Sequence, residues 1–364
     1  MDEEEQREQR MKESDKIDLT RYGFTQRFAA SAAETGYPVG RVLSQERGVY
    51  RVIADTGEVF AKVSGKLRHE TLTVSDFPAV GDFVLLDPPS EALGQGVIRG
   101  ILPRKSVFIR KAGGTAHEGQ VVAANIDTLF NCMSLNNDFN LRRLERYLAI
   151  AWDSGAIPVI VLTKADLCDD VEGQLLCVSR VAMGTDILVT SAMAEDGYQQ
   201  IAAYIRPGLT VAFIGSSGVG KSTLINRLLG SDRLQTMGLR NDDKGRHATT
   251  HRELILLSAG GMVIDTPGMR ELGLWDVTTG LDLTFADVEE LASSCRFRDC
   301  GHTREPGCAV LAAIQSGALP AQRLMSYQKL KTETAYALDA QSYLAAKEKK
   351  FKDIAVLNKA MRKK

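Results

Sequence analysis

The run Gly215-Ser216-Ser217-Gly218-Val219-Gly220-Lys221-Ser222 constrains the fold of this chain more than any other feature. It fits GxxxxGK[ST], follows an apolar strand candidate at Thr210 to Ile214 and opens the helical run Thr223 to Leu229. Strand, loop and helix in that order belong to an α/β sheet with helices on both faces. Glycines let the backbone close around phosphate, so that successive N–H groups and a helix N-terminus face the anion. Gly215 to Gly220 and Thr223 are therefore assigned to a phosphate cradle. Lys221 is assigned to the β and γ phosphates, with a catalytic share, and Ser222 to Mg²⁺. Further strands are expected at Ile126 to Cys132, Pro158 to Leu162, Ile187 to Val189, Glu253 to Leu257 and Met262 to Ile264.

Most of these strands lead into other polar motifs, as expected when ligands bind outside the carboxyl ends of parallel strands. Asp265-Thr266-Pro267-Gly268 lies 44 positions beyond Lys221. Asp265 suits Mg²⁺, and the Gly268 N–H can meet a γ phosphate. Gly245-Arg246-His247-Ala248-Thr249-Thr250 is a polar stretch able to close over a nucleotide. A threonine there would complete the Mg²⁺ shell; Thr250 is the first choice and Thr249 the second.

Thr163-Lys164-Ala165-Asp166 and Thr190-Ser191-Ala192 each follow a strand and look like base-reading loops. Asp166 can accept from guanine N1–H and the exocyclic amine together. Adenine lacks that donor pair, and a buried carboxylate left unpaired costs about 1–3 kcal/mol. Lys164 would lie along the purine face, with Thr163 and Ser191 beside it and the Ala192 N–H on O6. GTP and GDP are the expected ligands. Both base loops precede the phosphate loop, so the order is that of a circular permutation, which a fold tolerates when its original termini lie close together.

Ahead of this region, short β-rich runs at Val39 to Leu43, Val49 to Ala54, Val59 to Val63, Phe83 to Leu86 and Val97 to Leu102 suggest a five-stranded barrel of OB type. Such barrels commonly bind oligonucleotides, although five strands also fit a plain structural barrel. Behind it, Cys295, Cys300, His302 and Cys308 fall within fourteen residues, a ligand set for one structural Zn²⁺. Cys132, Cys168 and Cys177 are read as packing residues. The nearby Arg296, Arg298 and Arg304, and a tail with eight bases against two acids over Leu344 to Lys364, offer contacts for RNA phosphate. The first sixteen residues hold seven acids and four bases without apolar periodicity, an expected disordered arm.

With 44% hydrophobic and 25% charged residues, wholesale disorder is excluded, and a net charge of -1 gives no global pull towards nucleic acid. The amino terminus has no apolar h-region and no apolar run is long enough to cross a bilayer, so the cytoplasm is the expected compartment, without a membrane partner; a monomer is expected as well.

In this order, TKAD, TSA, GSSGVGKS, GRHATT, DTPG and the cysteine cluster resemble the RsgA (YjeQ/YloQ) family of circularly permuted GTPases. The resemblance runs from about Tyr37 to the carboxyl end. It implies an α/β, circularly permuted P-loop GTPase domain (113–284), an N-terminal OB-type RNA-binding domain (37–112) and a C-terminal helical zinc-binding domain (285–364), after a partly disordered arm (1–36). It also implies GTP hydrolysis in late maturation of the small ribosomal subunit, with rRNA as the activating partner and release on hydrolysis. A second reading is an RNA-binding assembly module that senses GTP or GDP with negligible hydrolysis. Two departures stand out: Thr163 replaces the asparagine of many GTPases, which would loosen the base loop, and Ala248 replaces a threonine, leaving Mg²⁺ to Thr249 or Thr250. Met269 stands where many GTPases orient water with glutamine, and the resemblance makes His247 the residue expected to do so.

Overall fold

The computed structural model describes residues 16–71, 73–87, 95–111, 119–191, 194, 198–230, 252–265 and 278–335. Strands β1 (Val39–Glu46), β2 (Val49–Ala54), β3 (Gly57–Val63), β4 (Phe83–Asp87) and β5 (Gly96–Ile101) close in the order β1-β2-β3-β5-β4 and back to β1. Only the β3–β5 seam is parallel. Alternate residues, among them Val42, Tyr50, Val52, Val84 and Ile98, fill the barrel, which is the period-2 pattern that marked these strands in the sequence. Before β1, helix α1 (Gln26–Ala33) sets Phe28 against Phe83, ring centroids 4.4 Å apart; after β3, helix α2 (Gly65–Glu70) is capped by Ser64.

Strands β6 (Val107–Lys111) and β7 (Gly119–Ala124) form a separate antiparallel pair that joins residues on both sides of position 112. Neither strand is among those expected from the sequence. Tertiary burial of Phe108 and of Val121 to Ala124 holds them.

The central sheet contains β8 (Thr128–Ser134), β9 (Ile157–Thr163), β10 (Asp186–Val189), β11 (Thr210–Gly215), β12 (Glu253–Leu256) and β13 (Met262–Asp265). Their order is β10-β9-β8-β11-β13-β12, all parallel except β12. Alternate side chains face helices on opposite sides. Phe130, Val159, Val161 and Phe213 pack towards α5 (Gln199–Ala202) and α6 (Lys221–Leu229). Met133, Ile160 and Leu162 pack towards α3 (Leu141–Asp153) and α4 (Val171–Val181).

Barrel and sheet are continuous, since β1 pairs with β12 at Ser44 and Glu253. The buried guanidinium of Arg41 strengthens the joint. It donates to the carbonyls of Tyr22, Gly81 and Asn125 and to Thr210 Oγ1, and stands over the Phe83 ring. Burial pulls its pKa down to about 10, so it remains charged at neutral pH, compensated by oxygen dipoles.

The C-terminal helices are α7 (Thr278–Thr284), α8 (Ala286–Ser293), α9 (Ala309–Gln315) and α10 (321–335). Helix α7 lies so close to α3 that a Cβ at Gly280 would sit 1.9 Å from the Ala149 carbonyl oxygen. Arg323 of α10 donates to Glu145 of α3 at 2.9 Å, to Asp287 of α8 at 2.8 Å and to the Thr284 carbonyl at 2.8 Å. Ser326 Oγ takes the other Glu145 oxygen at 2.6 Å. The helical domain is thus locked to α3 through a buried carboxylate.

Candidate nucleotide site and zinc cluster

Because β8, β9, β10, β11 and β13 run parallel, their carboxyl ends share one edge of the sheet. The phosphate loop leaves β11 there. A Cβ at Gly215 would meet the Cys132 carbonyl oxygen at 2.5 Å, so only glycine lets the loop pass. Gly218 and Gly220 have φ of +73° and +107°, and Gly220 caps α6. Lys221 Nζ donates to the carbonyls of Gly215 and Ser216, both at 2.7 Å, so the ammonium spans its own loop. Ser217 and Gly218 are exposed at the loop tip, and Val219 is buried beneath it.

Ser222 lies in the first turn of α6, with Thr223 next to it, and Asp265 ends β13, the strand hydrogen-bonded beside β11. A hydroxyl and a carboxylate are hard oxygen donors of the kind Mg²⁺ takes alongside phosphate and water, so these residues fit that ion.

The base loops come from β9 and β10. Thr163, buried at the end of β9, donates its hydroxyl to the Val219 carbonyl at 2.6 Å. The expected loosening is therefore corrected: the threonine ties the base loop to the phosphate loop. Removing the hydroxyl in Thr163→Val leaves that buried carbonyl unpaired, which should weaken labelled GDP binding by about 1 kcal/mol, roughly fivefold. A titration showing unchanged affinity would refute the tie.

Lys164 takes the left-handed backbone region, φ +58°, and starts the single turn 165–167 that presents Asp166. Ser191 donates its hydroxyl to the Asp166 carboxylate, and Ala165 N–H bonds the Thr190 carbonyl at 3.3 Å. The two base loops thus meet each other as well as the phosphate loop. Ala192, His247, Thr249, Thr250 and Gly268 lie outside the described residues. The motif reading missed Asp138, in the loop after β8, which accepts from Ser216 Oγ at 2.6 Å. No spacing rule covers that loop, and only the fold brings it to the phosphate site.

In the helical domain, one ligand atom from each of Cys295, Cys300, His302 and Cys308 lies within 4.8 Å of all the others. The Cys295 and Cys308 sulfurs are 3.8 Å apart, and His302 Nδ1 stands 3.7 and 3.4 Å from them. A tetrahedron with Zn–S of about 2.3 Å requires ligand separations of about 3.8 Å, so the quartet fits zinc. His302 has φ +54°, unusual without glycine. Its loop is held by Glu305, whose carboxylate collects N–H bonds from Gly301, Thr303 and Arg304 at 2.7 to 2.9 Å. These backbone donors, its own included, hold the Glu305 pKa down to about 2.

The RsgA GTPase family model matches residues 101–275. Small ribosomal subunit biogenesis GTPase RsgA 2 of Lactiplantibacillus plantarum is 52% identical over 322 residues, covering 88% of this chain and 90% of that protein. The chain belongs to the RsgA GTPase family. Small ribosomal subunit biogenesis GTPase RsgA of Opitutus terrae is 48% identical, over 86% of this chain and 88% of its own. Among solved structures, YjeQ from Thermotoga maritima matches with a TM-score of 0.60 and 26% identity, covering 82% of this chain and 98% of that one. YloQ, described as a circularly permuted GTPase, matches with a TM-score of 0.59 and 26% identity over 83% of this chain and 96% of that one.

As an RsgA GTPase, the chain has the fold expected of it: a permuted α/β domain between a β-barrel and helices bearing a Cys/His cluster. Two side-chain expectations fare differently. Cys132 is buried and packs in the core, with burial raising its thiol to about 12, whereas Cys177 is exposed and is no packing residue. Helix α4 buries only Val178 and Val181, which leaves Cys177 on its outer side. Among the described residues, no helix is long and apolar enough to cross a membrane.

Proposed function

We propose that this chain hydrolyses GTP during late maturation of the small ribosomal subunit, binding rRNA and leaving on hydrolysis. The hydrogen bond between Thr163 and Val219 carries this reading, because one ligand with a base and a phosphate tail is what spans the two loops it joins. The relatives named above as small ribosomal subunit biogenesis GTPases support the partner.

In this reading Asp166, Lys164 and Ser191, with the Ala192 N–H, hold guanine, and residues 215–223 hold the phosphates. Lys221 neutralises charge on the transferred group. Ser222, Asp265 and Thr250, or Thr249 in its place, would hold Mg²⁺, which would supply positive charge to offset the negative charge of the phosphates. The Gly268 N–H meets the γ phosphate, and His247 orients the attacking water. Cys295, Cys300, His302 and Cys308 hold one structural zinc ion. The barrel (37–112) and the bases of 285–364 meet rRNA, and the protein works as a cytoplasmic monomer.

GTP and ATP turnover measured with increasing small subunits, with zinc quantified in the same sample, tests this. The expected result is subunit-stimulated GTP hydrolysis, inert ATP and one zinc per chain. Tight GTP binding without stimulation would turn the protein into a sensor, and equal ATP turnover would remove the guanine assignment. His247→Ala should lower turnover far more than nucleotide affinity; equal losses in both would reject its role.

A further inference from the structure

Between β8 and α3, a loop outside every nucleotide motif carries Asp138. Its shape is preset, since Asn136 Oδ1 accepts from Ser134 Oγ at 2.9 Å and from the Asp138 N–H at 3.1 Å. That turn aims the Asp138 carboxylate at partners on two elements. Ser216 Oγ in the phosphate loop donates to Oδ2 at 2.6 Å, and Arg143 in the first turn of α3 donates to Oδ1 at 2.8 Å. Ser216 in turn gives its carbonyl to the Lys221 ammonium. Burial alone would raise the Asp138 pKa, yet Ser216, Arg143 and the nearby Lys164 together lower it, so the carboxylate stays ionised among them.

The geometry points to Asp138 as a positioning residue for GTP turnover: it fixes Ser216, and through the Ser216 carbonyl the Lys221 ammonium, against helix α3. This rests on the GTPase reading above and adds a residue to it. Helix α3 also carries Glu145, the carboxylate that anchors α10, so the phosphate loop and the helical domain are fastened to one rod. Asp138 and Arg143 are partly exposed, and such pairs contribute little to stability. Misplacing a phosphate-loop lysine, by contrast, strikes the chemical step, where small displacements have large effects.

The test compares wild type with Asp138→Asn, Asp138→Ala, Ser216→Ala and the double variant Asp138→Ala/Ser216→Ala. For each, kcat and KM for GTP, labelled GDP affinity and the unfolding midpoint of the nucleotide-free chain are measured. Asp138→Ala should lower kcat about ten- to hundredfold, with GDP affinity altered less than about threefold. The unfolding midpoint should stay unchanged. Asp138→Asn, which keeps an acceptor for Ser216, should fall between. The double variant should be no worse than the poorer single one, because both remove the same contact. Ser216→Ala tests the contact even if Asp138→Ala does not fold. Losses that multiply in the double variant, or a kcat loss matched by an equal loss of stability, overturn the inference. A wild-type chain inert towards GTP overturns the GTPase reading and this inference with it. Normal turnover in both Asp138→Ala and Ser216→Ala beside an active wild type overturns this inference alone.

Discussion

Arg323→Ala should destabilise the folded chain by about 3–5 kcal/mol, the range expected when one partner of a buried ion pair is removed. Glu145 has no exposed surface, and Arg323 supplies it a donor at 2.9 Å while also bonding Asp287 and the Thr284 carbonyl. Arg142 and Ser326 remain on the Glu145 oxygens after the change, which favours the lower end of that range. Asp287 is partly exposed and can be hydrated. The double variant Glu145→Leu/Arg323→Leu should recover most of the loss, because apolar replacement of a whole buried pair is commonly neutral. Urea midpoints decide the matter: a single variant as stable as wild type, or a double variant no better than the single, contradicts the account.

Lys221→Ala should cut GTP turnover by about a hundred- to a thousandfold, the scale of losing one preorganised electrostatic contact to a transition state. The Lys221 ammonium spans the Gly215 and Ser216 carbonyls. Without it those oxygens face a polyphosphate with no cation between them, so repulsion adds to the lost stabilisation. Arginine should not rescue, since a planar guanidinium cannot occupy the position of a compact ammonium. Single-turnover assays at saturating GTP measure the effect, and a loss below about tenfold would take the lysine out of this role.

The parts legible in the sequence share one property: their signal is local. Five barrel strands and six sheet strands showed as short apolar runs, and the candidate phosphate loop, the candidate base loops and the Cys/His cluster each stand out as residue types at fixed spacing. What escaped depends on distant partners. Nothing near Arg41 announces a buried charge, because the oxygens that stabilise it come from Tyr22, Gly81, Asn125 and Thr210. Thr163 looked like a weakened asparagine until Val219, 56 positions away, supplied its acceptor. The pairing of Asp138 with Ser216 spans 78 positions for the same reason.

The seam between Ser44 and Glu253 has a practical consequence for anyone dissecting the protein. A fragment trimmed to begin after residue 112 would lose the pairing at Glu253, adding that peptide group to an edge of β12 open to a neighbouring molecule. The hollow vacated by Arg41 would leave the Thr210 hydroxyl and the Asn125 carbonyl without their donor. Clumping is therefore the natural fate of such a truncation, and co-expressing the missing barrel is the natural remedy.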